Sequence, residues 1–205
     1  KDVLADISVD WMIIDHYSLD IKWETVLQNK CGKLMVIDDL ADRPHSSDLL
    51  LDQNLGREPS NYCALVPDSC LILAGPKYAL LRPEFADLRE RSLERRKVPE
   101  LKRILISMGG VDKDNITGKI LVALNACQLP ANCKITVIMG QSAPWLEEVF
   151  GLANLMQWPT DVQVNVSDMG VQMFQCDLAI GAAGSTSWER CCLGIPSLIV
   201  VLAAN

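Results

Sequence analysis

The chain has 205 residues, 49% of them hydrophobic and 22% charged, enough for one or two globular domains with a buried core. A formal charge of -7 and a pI near 4.8 exclude a general nucleic-acid binder, so any bound phosphate must be met by local N–H groups rather than by the overall field. No apolar run reaches the ~18 residues of a membrane helix, no signal peptide is visible, and the eight cysteines form no C-x-x-C pair. The expected protein is cytoplasmic, without disulfides, metal or a membrane partner. A start at Lys1 without methionine, and a stop at Asn205 just after a strand-like run, lead us to expect a piece of a longer chain.

The first predicted strand, Trp11–Ile14, ends in Asp15-His16-Tyr17. These residues suit a cap and a turn. They also suit a site, since His is a natural general base and Tyr donates to a developing anion. Helix Ile21–Asn29 and strand Lys33–Ile37 follow, and the strand runs into Asp38 and Asp39, with Arg43 and His45 close behind. Adjacent carboxylates there read either as a cap with an ion pair to Arg43 or, with Asp15 and His16, as a metal-dependent hydrolase site. Only two histidines exist, and neither H-x-H nor H-E-x-x-H spacing occurs, so no metal is expected. Strand Leu49–Leu51 ends in Asp52-Gln53-Asn54; strand Leu71–Ala74 and helix Pro83–Arg96 come next. Ala86–Lys102 is dense in both charges and broken by Pro99, as a solvated helix face followed by a linker would be. The domains are therefore expected at 1–97 and 98–205.

Strand Arg103–Met108 opens the second half and leads through Gly109, Gly110 and Asp112 into helix Asn115–Ala126. Strand Lys134–Met139, helix Pro144–Phe150, strand Val162–Val166 and helix Met169–Gln175 continue the alternation. Strand Leu178–Ile180 then runs into Gly181-Ala-Ala-Gly184-Ser185, helix Thr186–Cys192 and strand Ser197–Leu202. Apolar runs bounded by helices predict an α/β fold of parallel sheets covered on both faces, with ligands beyond the carboxyl ends of the strands. Two glycine loops at strand ends fit that position, although Asp112 or Asp114 also suits a helix cap. Neither loop is a Walker P-loop or a G-x-G-x-x-G fingerprint. In the second loop, small residues let the backbone approach a ligand, and the following helix N-terminus attracts an anion. Glu189, one turn on, shares the charge of a phosphate but accepts well from sugar hydroxyls. The segment therefore points to a ligand with both phosphate and ribose.

Together these pieces resemble the UDP-2,4-diacetamido-2,4,6-trideoxy-β-L-altropyranose hydrolase family of pseudaminic acid biosynthesis. The resemblance rests on Ile14–Tyr17, Ile37–Asp39, His45–Leu51, Tyr78–Phe85, Met108–Asp112 and Gly181–Glu189, in that order and spacing. It implies a GT-B-like fold of two Rossmann-like parallel-sheet domains. On that resemblance the first, sugar-side domain is expected to be incomplete here and the second, UDP-binding domain to be truncated. The implied reaction uses no cofactor: water displaces UDP at the anomeric carbon and leaves the free sugar, a step placed in flagellin glycosylation and polysaccharide biosynthesis. Gly109, Gly110, Gly184, Ser185 and Glu189 match the UDP site, and Tyr17 and Asn205 match residues at the sugar, with Tyr17 expected in the interdomain cleft. The family's catalytic base is a histidine in a G-x-G-H loop, a stretch not found in these residues. His16 does not inherit that role, and the implied activity belongs to the parent protein. Two other readings use the same loops: a GT-B glycosyltransferase with a UDP-sugar donor, and a non-catalytic nucleotide-sugar-binding module.

Overall fold

The computed structural model describes residues 9–202. The chain divides between Leu80 and Leu81 into two compact units. The division thus precedes the charged helix α2 (Pro83–Arg95) instead of following it at 97/98. The reason lies on the inner face of α2. Phe85 is fully buried with Leu105, Met173 and Leu193, and Ser92 Oγ donates to Leu193 O at 2.7 Å. The charge run is the solvent side of a helix that belongs to the second unit.

The first unit contains β1 (Val9–Asp15), α1 (Ile21–Leu27), β2 (Cys31–Ile37), β3 (Leu49–Asp52) and β4 (Leu71–Ala74). The strands pair in parallel in the order β1-β2-β3-β4. Asp20 starts α1 by accepting the Lys22 N–H, and Leu27 packs against Ile14, Leu34 and Val36.

The second unit adds β5 (Arg103–Ser107), α3 (Ile116–Asn125), β6 (Lys134–Met139), α4 (Leu146–Asn154), β7 (Thr160–Val164), α5 (Met169–Gln175), β8 (Leu178–Ala182), α6 (Ser185–Cys192) and β9 (Ser197–Val200). Its parallel sheet has the order β7-β6-β5-β8-β9. Ile104 and Ile106 point into one core, under α3 and α4, while Leu105 points into another with α2, α5 and α6. Burial on both faces is why these strands read as unbroken apolar runs. The fold class is the expected one: two α/β units with parallel, Rossmann-like sheets. Helix α4 departs most from expectation. Trp145 stands at its N-cap position without a side-chain cap, its indole N–H donating to Lys113 O at 2.9 Å, and the buried positions Val149 and Ala153 carry it to Asn154.

The chain moves outward from β5 through β6 to β7, then returns to lay β8 on the other side of β5. The strand order reverses between β5 and β8, the place where open α/β sheets form a crevice beyond their strand ends. All eight cysteines are unpaired thiols. Among the described residues, no helix is long and apolar enough to cross a membrane.

Candidate functional site

Ser107 of β5 pairs with Gly181 of β8, so the two glycine loops leave the sheet side by side at the reversal. They differ in what their helices offer. After Gly109 (φ +86°) and Gly110, Asp112 is buried in the left-handed region at φ +43°. Its carboxylate accepts Ile116 N–H and Thr117 N–H, both at 2.9 Å. Asn115, also left-handed, accepts Gly118 N–H at 3.0 Å. The first amides of α3 are therefore satisfied by the chain's own acceptors, one of them an anion, and that terminus is closed to a phosphate. Gly110 is also braced from β6: a Cβ on Gly140 would collide with the Gly110 carbonyl.

Helix α6 is open. Its N-cap is Gly184, at φ +127° and ψ -163°, a conformation that favours glycine, and no side chain caps the helix. Ser187 N–H bonds Gly184 O at 2.9 Å, but among the described residues the amides of Gly184, Ser185 and Thr186 have no partner. No acidic residue occupies the first turn. Unsatisfied amides at the positive end of a helix dipole are an anion-binding arrangement. One turn on, the Glu189 side chain is 15% exposed, with Arg82 Nη2 at 3.7 Å, beyond hydrogen-bond distance. Arg82 is also shared with Glu84, at 3.2 Å. Burial pushes the Glu189 carboxyl above its usual range; Arg82 opposes the shift and Glu84 adds to it. The carboxylate keeps acceptor capacity that the chain does not use. Among the predicted nucleotide-binding residues, Gly109, Gly110, Gly184, Ser185 and Glu189 all fall at neighbouring strand ends or in the first turns of α6. Sequence reasoning missed Arg190, a buried cation behind this loop whose only sequence signal is a basic residue on a short helix.

In the first unit, Tyr17 follows β1, is 62% exposed, and donates its hydroxyl to Asp39 Oδ2 at 2.9 Å. The hydrogen bond and charge of Asp39, with the nearby Asp15 and Asp38, raise the Tyr17 pKa and keep it a donor. These residues line a small cavity of about 120 Å³ with His16, Gln53 and Asn54. Asp39 Oδ1 is buried there and has no hydrogen-bond partner. His16 Nδ1 accepts Ser18 N–H at 3.0 Å, which leaves the proton of the neutral ring on Nε2 and makes it a donor at its free nitrogen. Asn205 lies outside the described residues.

The two adjacent aspartates separate. Asp38 takes the cap and the ion pair: it accepts from Leu40 N and Ala41 N at 3.2 and 2.8 Å and meets Arg43 Nη2 at 2.9 Å. Tyr62 OH lies 2.9 Å from Asp38 Oδ2 and 2.8 Å from Asp52 Oδ2, and Arg57 Nε lies 3.0 Å from Asp52. Buried Glu24 meets His45 Nδ1 at 2.6 Å and accepts Ser46 N–H at 2.6 Å. His45 Nε2 is 3.7 Å from Asp38 Oδ1, an ion-pair distance. Burial alone would lower the His45 pKa, but Asp38 and Glu24 outweigh it and push it up to about 9. Burial would likewise raise the Asp38 pKa, but His45, Ala41, Tyr62 and Arg43 hold it well below the carboxylate range. Glu24 and Tyr62 were not legible as members of this network.

Among the described residues, no group of three or more His, Cys, Asp or Glu is arranged to hold a metal ion. A larger cavity, about 390 Å³, opens near Arg103, Lys134 and Thr160, the first residues of β5, β6 and β7. It lies at the opposite end of the sheet from the glycine loops.

No family model matches the chain. An uncharacterized protein of Methanocaldococcus jannaschii is 30% identical over 98% of this chain and 42% of its own length. The UDP-2,4-diacetamido-2,4,6-trideoxy-beta-L-altropyranose hydrolase of Campylobacter jejuni is 30% identical over 75% of this chain and 53% of its own. The spore coat polysaccharide biosynthesis protein SpsG of Bacillus subtilis is 30% identical over 63% of this chain and 37% of its own. The chain thus spans about half or less of the curated relatives it matches. A solved structure from work on EarP-mediated arginine glycosylation of translation elongation factor EF-P aligns at 17% identity. That match covers 95% of this chain and 73% of the other, with a TM-score of 0.39.

Proposed function

We propose that the protein carrying this chain hydrolyses a UDP-linked 2,4-diacetamido-2,4,6-trideoxy sugar to the free sugar and UDP. The observation that carries the reading is the uncapped N-terminus of α6 at the strand-order reversal, with the available carboxylate of Glu189 one turn on. The likeness to the Campylobacter hydrolase supports the choice of substrate.

In this reading the diphosphate sits on the amides of Ser185 and Thr186, and Gly109, Gly110 and Gly184 let the backbone come close. Glu189 accepts from the ribose hydroxyls. A water oxygen bonds to the anomeric carbon while the bond from that carbon to the UDP oxygen breaks. UDP leaves with the electron pair, and the proton lost by the attacking water passes to solvent. Charge gathers on the departing diphosphate as the bond breaks, so fixed N–H donors aimed there lower the barrier. Tyr17, held by Asp39, and Asn205 position the sugar or the water.

The test measures UDP and free sugar released by the full-length protein, with and without saccharide acceptors. Equal amounts of both products without an acceptor are expected. Release that depends on an acceptor identifies a glycosyltransferase, and UDP binding with no turnover identifies a binding module; either result rejects hydrolysis.

A further inference from the structure

Arg190 is the one buried cation on α6, 3% exposed. Its Nη2 donates to Ala182 O at 2.8 Å and to Ser187 Oγ at 3.0 Å, and its Nε has no hydrogen-bond partner. Among the described residues, no carboxylate lies within ion-pair distance of it. Ala182 ends β8 and Ser187 is the third residue of α6, so the guanidinium spans the back of the turn whose Gly184, Ser185 and Thr186 amides are open. The strand makes room for it: a Cβ on Gly181 would collide with Nη1 and would lie 3.0 Å from Ser107 O.

A guanidinium stays charged in a protein, and a buried charge met only by a carbonyl and a hydroxyl dipole is costly. Desolvation lowers the Arg190 pKa, and the nearby Cys191 and Glu189 oppose the shift only in part.

We propose that Arg190 is the positioning residue of an anion site at the β8–α6 turn, its buried charge neutralised by a bound diphosphate and its hydrogen bonds holding the turn in the shape that receives it. The inference rests on reading the second unit as the nucleotide site. It adds a source of selectivity: affinity should follow the negative charge of the ligand, with UDP above UMP and UMP above uridine.

The experiment measures binding of UDP, UMP, uridine and inorganic pyrophosphate to the full-length protein by calorimetry, and the ligand-free melting temperature. Arg190→Met should lower UDP affinity at least about tenfold, UMP affinity less, and uridine affinity by less than about twofold. The ligand-free melting temperature should hold or rise, because an uncompensated buried charge has been removed, while the UDP-induced shift shrinks. Arg190→Lys, which keeps the charge, should restore part of the preference for UDP. If Arg190→Met does not fold, Gly181→Ala, which displaces the guanidinium without removing it, should give the same ordering more weakly. Equal losses for all three ligands, or an unchanged UDP affinity, would overturn the proposal. If pyrophosphate binding depends on Arg190 but UDP binds no better than pyrophosphate, the UDP-sugar reading fails and the anion site stands. A wild-type protein that binds neither ligand overturns both.

Discussion

The carboxyl ends of the strands treat charge in opposite ways in the two units. In the first, Asp38 and Asp52 at strand ends and Glu24 of α1 beside them are buried, and each faces a cation of the chain: Arg43, Arg57 and His45. Among the described residues, the small polar cavity under Tyr17 and the unpartnered oxygen of Asp39 remain open to a ligand. In the second unit the contrast repeats between two loops that leave paired strands. Helix α3 is closed by Asp112, whereas α6 is open and backed by an unneutralised arginine. The lesson is that a glycine loop leading into a helix does not by itself make an anion site; what matters is whether the protein has already supplied the anion.

The largest effect expected from this contrast is structural. His45→Ala leaves Glu24 and Asp38 buried without their shared cation and should cost about 3–5 kcal/mol by urea unfolding, while UDP affinity stays unchanged. Because the folded-state pKa of His45 is raised from 6.5 to about 9, its contribution is complete below pH 6.5 and lost as pH rises through 9. Wild-type stability should fall across that window and His45→Ala stability should not; parallel curves would remove His45 as the charge-bearing member of the network.

Gly184→Ala places a Cβ in a left-handed conformation at the cap of α6. A strain of about 1–3 kcal/mol, relieved only by reshaping the turn, should cost tenfold or more in UDP affinity. Unchanged calorimetry would show that the open amides do not hold the nucleotide. Glu189→Ala should weaken UDP binding by about 1–3 kcal/mol and leave 2′,3′-dideoxy-UDP unaffected. Since the Glu189 carboxyl is raised and ribose hydroxyls donate to its ionised form, UDP affinity should increase as pH rises through its titration, a trend absent from the variant. Equal losses for both ligands would place Glu189 away from the ribose.

Tyr17→Phe removes one hydroxyl and one hydrogen bond to Asp39. Turnover should drop by about tenfold with UDP affinity intact, the pattern of an interaction made beyond nucleotide binding, and His16→Ala should matter less. The reverse ranking would hand the role to His16. The smallest effect belongs to α3. Asp112→Ala removes its cap and should cost about 1 kcal/mol of stability, with UDP affinity unchanged. A loss as large as that of Glu189→Ala would erase the distinction between the two helix ends.

The sequence by itself determined the parallel α/β architecture, the alternation of strands and helices, and the two glycine loops at strand ends. Strands buried on both faces must be apolar throughout, and a backbone held like that of Gly184 favours glycine, so both signals are local and survive in a single chain. The unit boundary, by contrast, depended on Phe85 and Ser92 meeting Leu193, more than 100 residues away. Asp38 and Asp39 look alike in sequence and separate only when Arg43 and Tyr62 claim the first and Tyr17, 22 residues away, meets the second. Periodicity likewise says nothing of Arg190, because a buried cation is identified by the counter-charge it lacks. Which helix end is open and which charge is unpaired were decided by the tertiary structure alone, since electrostatic compensation joins residues by distance in space and not by spacing along the chain.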